Sequence, residues 1–368
     1  LTSINSSLDI ILKGMTGDIN DTTVKFLNLA KENTNRLSAI ILDLLDLSKI
    51  EAGKMDFRFE KTNINIPVEL VKNTLENWAK ERNIIINLNL NKDLDTVYID
   101  TQRMEQVLNN LISNAIKFTV ENGIIEISSS KITVEDLRKN EFFTKLPEHL
   151  SREYIQIAVK DSGIGIAKEN WHKVFEQFKQ IENPSVRKVG GSGLGLPIAK
   201  RLMDAHKGFI WLDSELNHGS TFYIAIPIMN DKEIFELSLE QDIQKAKQDR
   251  INIALFSLSE KTVEGKSLID KILSEEIIRK TAVFKDYSII ENGRKYYYSY
   301  AMDIDSFVFD FEVRRLDTYI KENNPDFLEC DIMYSSALYP QDGDTIEMLT
   351  SKLNQFSKGD IDEKDIDS

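Results

Sequence analysis

The first fifty residues carry one long apolar stripe. From Val24 onward, apolar residues recur mainly in steps of three and four, which is the period of an amphipathic helix. The stripe consists of Leu27, Ala30, Leu37, Ile40, Ile41, Leu44, Leu45, Leu47 and Ile50. The polar sequence GDIND at 17–21 interrupts the pattern, so it predicts two helices joined by a short turn. We expect Asp21 or Thr22 to cap the second helix and Gly53 to end it.

A helical hairpin with so wide an apolar stripe cannot bury it alone. Pairing with a second copy into a four-helix bundle would cover the stripe of both chains. Residues 1–53 therefore predict a dimerisation hairpin and a homodimer.

Residues 54–230 alternate between short β-rich segments and helical periods, which predicts a mixed α/β domain. The predicted strands are 84–90, 123–129, 154–160, 209–213 and 221–226. The predicted helices are 68–82, 101–117 and 194–206. Between two strands, residues 131–152 form a charged insertion, for which we predict a short helix and no chemistry.

The remaining third of the chain predicts a further α/β domain, so the fold class is multidomain α+β. Residues 231–249 are charged and helix-prone, and we interpret them as a helical linker. The domain at 250–357 opens on the apolar run INIALFSL and contains the β-rich segment KYYYSYAMDIDSFVFDF. The acidic tail at 358–368 has the composition of a disordered segment.

Composition excludes several classes of protein. The 368 residues carry a formal net charge of −14, which argues against a nucleic-acid-binding protein. The chain has no run of 18 apolar residues, so we expect no membrane contact from it and a cytoplasmic location. The single cysteine, Cys330, excludes an internal disulfide and a cysteine-based metal cluster, and it lies in an apolar stretch typical of a core.

The segment NNLISNAIKF presents three polar side chains at helical spacing. Asn110, Asn114 and Lys117 lie four and three residues apart, so they project from one face of a predicted helix. Carboxamide oxygens suit Mg²⁺, and an ammonium group suits phosphate oxygens. A solvated polar stripe explains the same pattern equally well.

The segment DSGIGI follows a predicted strand. Asp161 can accept a hydrogen bond from an exocyclic amine there, and the glycines let a flat base lie against the backbone. In isolation, a plain turn after a strand is the simpler interpretation. In VFEQFKQ, which comes next, Phe175 and Phe178 are predicted to pack in the core and anchor the following loop.

The segment GGSGLGLPIAK places bare backbone amides before a helix whose first turn carries Pro197. Such a helix start favours a bound phosphate. Arg187 and Lys188 lie on the loop just before it, and Ser220 and Thr221, in NHGSTFYIAIP, are also predicted to reach phosphate.

In this order, the segments resemble the ATP-binding domain of sensor histidine kinases, in the superfamily shared with type II topoisomerase, mismatch-repair and heat-shock-chaperone ATPases. The matching boxes are NLISNAIKF, DSGIGI, FEQF, GGSGLGL and HGSTF. LLDLSKIEAGKMDFRFE resembles the segment that leaves the dimerisation hairpin of these kinases. The resemblance covers about residues 1–228 and implies ATP and Mg²⁺ as cofactors and a response-regulator receiver domain as partner.

The resemblance also implies roles for individual residues. Asn114 becomes the principal Mg²⁺ ligand with Asn110 beside it, Lys117 contacts phosphate, and Asp161 binds the adenine amine. The residues implied to shape the adenine pocket or the hinge of the ATP lid, or otherwise to contact the nucleotide, are Gly163, Gly165, Gly191, Gly193, Leu194 and Gly195.

One position separates classes within this superfamily. The hydrolysing relatives place a glutamate four residues before the metal-binding asparagine, where it activates water. The corresponding residue here is Asn110, which cannot act as a base. The resemblance therefore implies a site that holds the γ-phosphoryl group for transfer, with Asn110 and Lys117 as its catalytic residues.

The chain departs from the family pattern in its first helix. LTSI matches the end of a pattern like H-E-L-R-T-P-L-T-x-I, so the phospho-accepting histidine would lie about six residues before Leu1. The histidines present, His149, His172, His206 and His218, are interpreted as surface or structural residues. As given, the chain is expected to bind ATP without phosphorylating itself at the usual site, through truncation or because the natural protein lacks the segment.

In the last domain, SSALYPQDGDTIEMLTSKL resembles the closing strand, loop and helix of GGDEF-type domains. The aspartates that bind metal after the first strand of that family are replaced by SLSEK, and MDIDSF stands where the signature hairpin is expected. Two-metal nucleotidyl transfer needs such acidic ligands. We therefore interpret this domain as a degenerate module of that family, with a structural, regulatory or partner-binding role.

Three functions remain open from the sequence. The leading one is a two-component histidine kinase that passes its phosphoryl group to a response-regulator aspartate. Asn110 disfavours the second, a free-standing ATPase. The missing histidine is compatible with the third, a nucleotide-binding pseudokinase scaffold.

Overall fold

A computed structural model describes residues 1–17, 19–52, 54–143, 146, 153–179, 193–274 and 285–355. The chain divides into two compact units, Leu1–Ile228 and Met229–Ser368. The sequence predictions for Gly53, His149, Arg187, Lys188, Gly191 and the acidic tail lie outside the described residues. None of the described helices is long and apolar enough to cross a membrane.

The first unit begins with a hairpin of helices α1 (Thr2–Leu12) and α2 (Asp21–Glu51). Asn20 caps α2, because its backbone is extended and its Oδ1 accepts a hydrogen bond from Thr23 N at 2.8 Å. The expected cap, Asp21 or Thr22, was wrong, since both residues are already helical. The apolar side chains left exposed on the hairpin include Ile4, Ile10, Phe26, Leu29, Leu37, Ile41, Leu42, Leu44 and Leu45.

The end of α2 packs against the rest of the first unit. Leu47 is buried in its main core, and Asp46 Oδ2 accepts a hydrogen bond from Gln106 Nε2 at 3.0 Å. Glu51 Oε1 accepts a hydrogen bond from Gln177 Nε2 at 2.9 Å. The hairpin and the α/β region that follows it therefore belong to one compact unit in this structure.

A five-stranded sheet forms the centre of the α/β region. Its strands are β2 (Ile85–Leu90), β4 (Ile124–Thr133), β5 (Glu153–Asp161), β6 (Phe209–Glu215) and β7 (Gly219–Pro227), in the order β2-β4-β5-β7-β6. The β2–β4 pair is parallel and the other pairs are antiparallel. Two further strands, β1 (Glu60–Thr62) and β3 (Val97–Ile99), pair separately. At three residues each, they are too short for the sequence pattern to have predicted them.

Alternation along the strands separates the two faces of this sheet. Apolar residues such as Ile155, Ile157 and Val159 pack with helices α3 (Asn65–Glu81), α4 (Thr101–Phe118) and α6 (Gly195–Ala205). On the other face, Tyr154 and Trp211 pack with the short helix α5 (Val134–Arg138). The predicted short helix in the charged insertion is thus confirmed. Thr133 and Asp136 form its capping box.

The second unit contains a four-stranded antiparallel sheet in the order β11-β8-β10-β9. Its elements are α7 (Asp231–Asp249), β8 (Ile253–Lys261), α8 (Leu268–Ser274), β9 (Lys285–Glu291), β10 (Arg294–Met302), α9 (Ser306–Phe327), β11 (Met333–Tyr339) and α10 (Ile346–Leu353). Helices α8 and α9 pack on one face, and α7 and α10 pack on the other. From β8 to β11 the chain follows the βαββαβ order of ferredoxin-like folds.

Helix α7 differs from the linker that the sequence predicted at 231–249. The helix is present, but Phe235, Leu239, Ile243 and Ala246 are buried in a core shared with β8 and α10. Its charged composition hid this role, although buried residues cover more than half of the circumference in the first half of the helix.

The segment KYYYSYAMDIDSFVFDF is only partly β structure. It forms β10 and then enters α9 at Ser306, so MDIDSF joins a strand to a helix and is not a hairpin. The hairpin of this sheet lies between β9 and β10, where Asn292 and Gly293 have φ values of 51° and 74°. Asn-Gly is a strong hairpin signal because it tolerates two consecutive positive φ angles. The sequence prediction overlooked it.

Candidate functional site

Helix α4 separates an apolar face from a polar one. Its buried residues are Met104, Val107, Leu108, Leu111, Ile112, Ala115 and Ile116. Asn110, Asn114 and Lys117 are half-buried and share the opposite side of the helix. Asp100 caps the helix, with its Oδ1 accepting a hydrogen bond from Arg103 N at 3.0 Å. The predicted three-residue polar face is therefore present on a rigid, core-packed helix.

Asn110 connects this face to the glycine-rich segment. Its Nδ2 donates a hydrogen bond to Gly195 O at 3.0 Å. A Cβ atom at Gly195 would lie 3.0 Å from Asn110 Oδ1, so the first residue of α6 sits directly against this side chain. A carboxamide in this position can orient groups, but it cannot take a proton from water.

Asn114 has the chemistry of a magnesium ligand. Within the part of the chain that the structure describes, its half-buried carboxamide forms no hydrogen bond, so its oxygen is available. Mg²⁺ commonly takes one or two protein ligands and completes its shell with water and substrate phosphates. Among the same residues, no group of three or more His, Cys, Asp and Glu side chains could hold a metal ion.

Lys117 lies where α4 ends. Burial lowers the pKa of its ammonium group below the usual range, and the positive charge of Arg36 lowers it further. An anion beside Lys117 would offset both effects, since it favours the charged form. The sequence prediction missed Arg82, whose guanidinium donates to the backbone carbonyls of Ile116, Lys117 and Thr119. Arg82 thereby caps the end of α4 that carries Lys117.

Asp161 ends β5 as a carboxyl group with only 5% of its surface exposed. Burial raises its pKa to about 6, although backbone hydrogen bonds from Gly163 and Ser220 act in the opposite direction. The Gly163 N to Asp161 Oδ1 distance is 2.8 Å. A buried carboxylate held by two backbone amides is a positioned acceptor for a ligand N–H group.

The raised pKa of Asp161 predicts a change of stability with pH. A carboxyl whose pKa is higher in the folded protein stabilises the fold below its unfolded pKa of 3.8, and this contribution is lost as the pH rises through about 6. We expect the free energy of unfolding of the wild type to fall relative to Asp161→Asn between pH 4 and 7, by up to about 3 kcal/mol.

Urea denaturation of both proteins across this pH range measures the difference. Asp213→Asn, at an exposed position of β6, removes the same charge and serves as the control. A difference between wild type and Asp161→Asn that is constant with pH would contradict the raised pKa.

The glycines after Asp161 are required by close backbone packing. A Cβ at Gly163 would lie 2.4 Å from Phe118 O at the end of α4. At Gly165, φ is +67° and a Cβ would lie 1.9 Å from Glu215 O. The loop therefore packs directly against α4 on one side and against the β6–β7 turn on the other.

Ser220 and Thr221 lie on β7 opposite Asp161 and Lys160 of β5. Ser220 is buried, and its Oγ lies 2.9 Å from Ser214 Oγ. Both residues therefore lie at the Asp161 end of the site. The hydroxyl of Ser220 is hydrogen-bonded there to the hydroxyl of Ser214.

The glycine-rich segment is described from Gly193 onward. Gly193 has a φ of +71°, and its carbonyl accepts a hydrogen bond from Phe178 N at 3.2 Å. Leu194 is fully buried, and Pro197 is buried in the first turn of α6. Phe175 is buried as predicted. The prediction for Phe178 was wrong: 61% of its surface is exposed, and its backbone has a φ of +60°.

The described histidines have structural or surface positions, as the sequence predicted. His206 is fully buried, with Nε2 accepting from Asp100 N at 3.0 Å and Nδ1 lying 2.7 Å from Leu202 O. Burial lowers its pKa, so the neutral ring with a proton on Nδ1 satisfies both contacts. His172 and His218 are exposed.

Comparison with known proteins gives a consistent set of similarities. Residues 99–230 match the family described as "Histidine kinase-, DNA gyrase B-, and HSP90-like ATPase". The sensor histidine kinase WalK of Bacillus subtilis is 34% identical over 234 residues, which cover 63% of this chain and 35% of WalK. The circadian input-output histidine kinase CikA of Synechococcus elongatus is 30% identical over 229 residues, covering 62% and 28% of the two chains.

Among solved structures, the catalytic domain of histidine kinase ThkA is 30% identical. The match covers 47% of this chain and 97% of that domain, with a TM-score of 0.36. The chain spans about a third of the length of WalK and of another curated relative that it matches, the sensor-like histidine kinase ycf26 of Porphyra purpurea.

Proposed function

From the histidine-kinase-type ATPase core that residues 99–230 form, we propose that the protein binds Mg-ATP and transfers its γ-phosphoryl group to a protein histidine. The phosphoryl group then passes to an aspartate of a response-regulator receiver domain. The observation that carries this proposal is the hydrogen bond between Asn110 and Gly195, which joins the polar face of α4 to the glycine-rich start of α6.

Each part of the site would contact one part of the nucleotide. Asp161 accepts a hydrogen bond from the adenine amine, and Gly163 and Gly165 let the loop beside this carboxylate pack against α4 and the β6–β7 turn. Asn114 and Asn110 would hold Mg²⁺, which would supply charge neutralisation at the phosphates. Lys117 contacts phosphate oxygens. The glycine-rich segment, including Gly193, Leu194 and Gly195, supplies backbone amides at the start of α6.

The site favours transfer over hydrolysis. Phosphoryl transfer needs mainly positioning and charge neutralisation, which these residues supply. Water must be activated or oriented to compete as the nucleophile, and Asn110 has no carboxylate for this purpose. A protein histidine, already nucleophilic when neutral, needs no such base.

The hairpin is proposed to form the dimer interface. Its exposed apolar side chains, including Leu37, Ile41, Leu44 and Leu45, recur at helical spacing along α2. A four-helix bundle with a second copy would bury them. The response regulator would then receive its phosphoryl group from a dimeric kinase.

We further propose that the second unit is a degenerate GGDEF-like module without nucleotidyl transfer. Its βαββαβ order supports this interpretation. The segment SLSEK lies within β8. The buried carboxylate of Glu260 accepts hydrogen bonds from Leu268 N and Ile269 N, so it caps the start of α8. Arg294, beside the hairpin, donates to Ser259 and Asp331.

Incubating the full-length natural protein with γ-labelled ATP tests the proposed kinase activity. We expect acid-labile, base-stable label on the protein, because phosphohistidine has this stability. Steady phosphate release without labelled protein would favour an ATPase. ATP binding with neither label nor release would favour the pseudokinase scaffold.

A further inference from the structure

The turn between β6 and β7 holds one hydroxyl group where three segments meet. Ser214 Oγ lies 2.7 Å from Ile166 N, 2.8 Å from Gly219 O and 2.9 Å from Ser220 Oγ. Ser214 is near the end of β6, Ile166 belongs to the loop after Asp161, and the other two residues begin β7. One side chain therefore joins this loop to both neighbouring strands.

The proton positions in this cluster follow from its chemistry. A serine hydroxyl donates one hydrogen bond and can accept two. The carbonyl of Gly219 can only accept, so it takes the proton of Ser214, and the amide of Ile166 can only donate. The hydroxyl of Ser220 must then donate to Ser214. All the bonding capacity of Ser214 is used, and the Ser220 proton is committed to protein.

The same segments hold the carboxylate of Asp161. Gly163, in the loop, donates to one of its oxygens at 2.8 Å, and the backbone N–H of Ser220 also donates to it. Asn217 N adds a bond of 2.7 Å from the β6–β7 turn to Ile164 O. Any shift of the loop or of Ser220 therefore reorients the carboxylate.

We propose that Ser214 is a positioning residue for base recognition, which aims the Asp161 carboxylate at the exocyclic amine of an adenine nucleotide. It acts by holding the two segments that donate to that carboxylate. This inference rests on the proposed ATP-binding function. It also assigns the hydroxyl of Ser220 to this support and not to phosphate.

The test compares the affinities of ADP and inosine diphosphate, which carries a carbonyl in place of the amine. Calorimetric titration of the full chain measures both dissociation constants. We expect Ser214→Ala to lower the preference for ADP about tenfold, mainly by weakening ADP binding, and Ser214→Thr to restore it because threonine keeps the hydroxyl. Ser128→Ala, a half-buried serine on β4 of the same sheet, is the matched control and keeps the wild-type preference.

A second variant covers the case in which Ser214→Ala does not fold. Ser220→Ala removes one of the three bonds and leaves the backbone donor to Asp161 in place, so we expect a loss of preference of about threefold. Equal weakening of both nucleotides in these variants, with the preference unchanged, would mean a merely structural role and overturn the proposal.

Asp161→Asn separates this inference from the proposed function. If wild type and Asp161→Asn both fail to distinguish the two nucleotides, base recognition by Asp161 is wrong and the ATP site itself is in question. If Asp161→Asn loses the preference and the Ser214 and Ser220 variants keep it, only the role of Ser214 is overturned.

Discussion

Replacing Asn114 with alanine is expected to lower histidine phosphorylation by the full-length protein at least about 100-fold. The carboxamide oxygen of Asn114, on the polar face of α4, is the proposed metal ligand, and without Mg²⁺ the charge on the phosphates would oppose transfer. The fold should persist, because the half-buried side chain makes no hydrogen bond within the described residues. Initial rates with γ-labelled ATP, measured at several Mg²⁺ concentrations, test this result.

Asn109→Ala is the matched control, because Asn109 is the same residue type on the same helix but is exposed. It should keep near wild-type activity. Asn110→Ala should lose activity as well, since Asn110 links α4 to Gly195. Wild-type rates for Asn114→Ala at limiting Mg²⁺ would show that another residue holds the metal.

Gly165→Ala is expected to destabilise the first unit by about 3 kcal/mol or more. Two effects add at this position. A φ of +67° is unfavourable for alanine, and its Cβ would lie 1.9 Å from the backbone oxygen of Glu215. Relief requires the β6–β7 turn to move away from the loop that follows Asp161, so nucleotide binding should weaken too. Chemical denaturation and calorimetric titration measure the two effects.

The control variant Gly14→Ala separates the backbone strain of a positive φ from the steric clash of the added Cβ. Gly14 has a similar φ of +72°, but a Cβ there would meet no atom within 4 Å. Only the conformational cost remains, about 1 kcal/mol. If Gly165→Ala lowers the free energy of unfolding no more than Gly14→Ala does, the β6–β7 turn moves at little energetic cost. Close packing would then not determine the shape of the base site.

Periodicity in the sequence was enough to locate the elements that carry the candidate site. The apolar positions of α4, such as Leu108 and Ile112, recur at helical spacing and are fully buried, which leaves Asn110 and Asn114 on the other side. Alternation in the segment from Tyr154 to Lys160 likewise identified β5 and put Asp161 at its end. Such patterns are local, so one chain segment contains all the information they need.

Contacts between distant segments escaped prediction. Phe178 is an aromatic residue of the type found in cores, yet its side chain is exposed and its backbone N–H donates a hydrogen bond to Gly193. Helix α7 has the charge of a linker, yet Leu239 and Ile243 are buried on the second sheet. Arg82, the residue that follows α3, caps the end of α4. No local pattern records which distant surface a residue will meet.

The sequence by itself determined the order of the chemical groups: a polar face on one helix, a carboxylate at a strand end and glycines before another helix. These depend on side-chain type and short-range spacing. The tertiary structure alone decided how they act together. It buries Asp161 enough to raise its pKa to about 6, commits the Ser220 hydroxyl to Ser214, and joins Asn110 to Gly195. Burial and hydrogen-bond geometry arise only when segments far apart in the chain pack against each other.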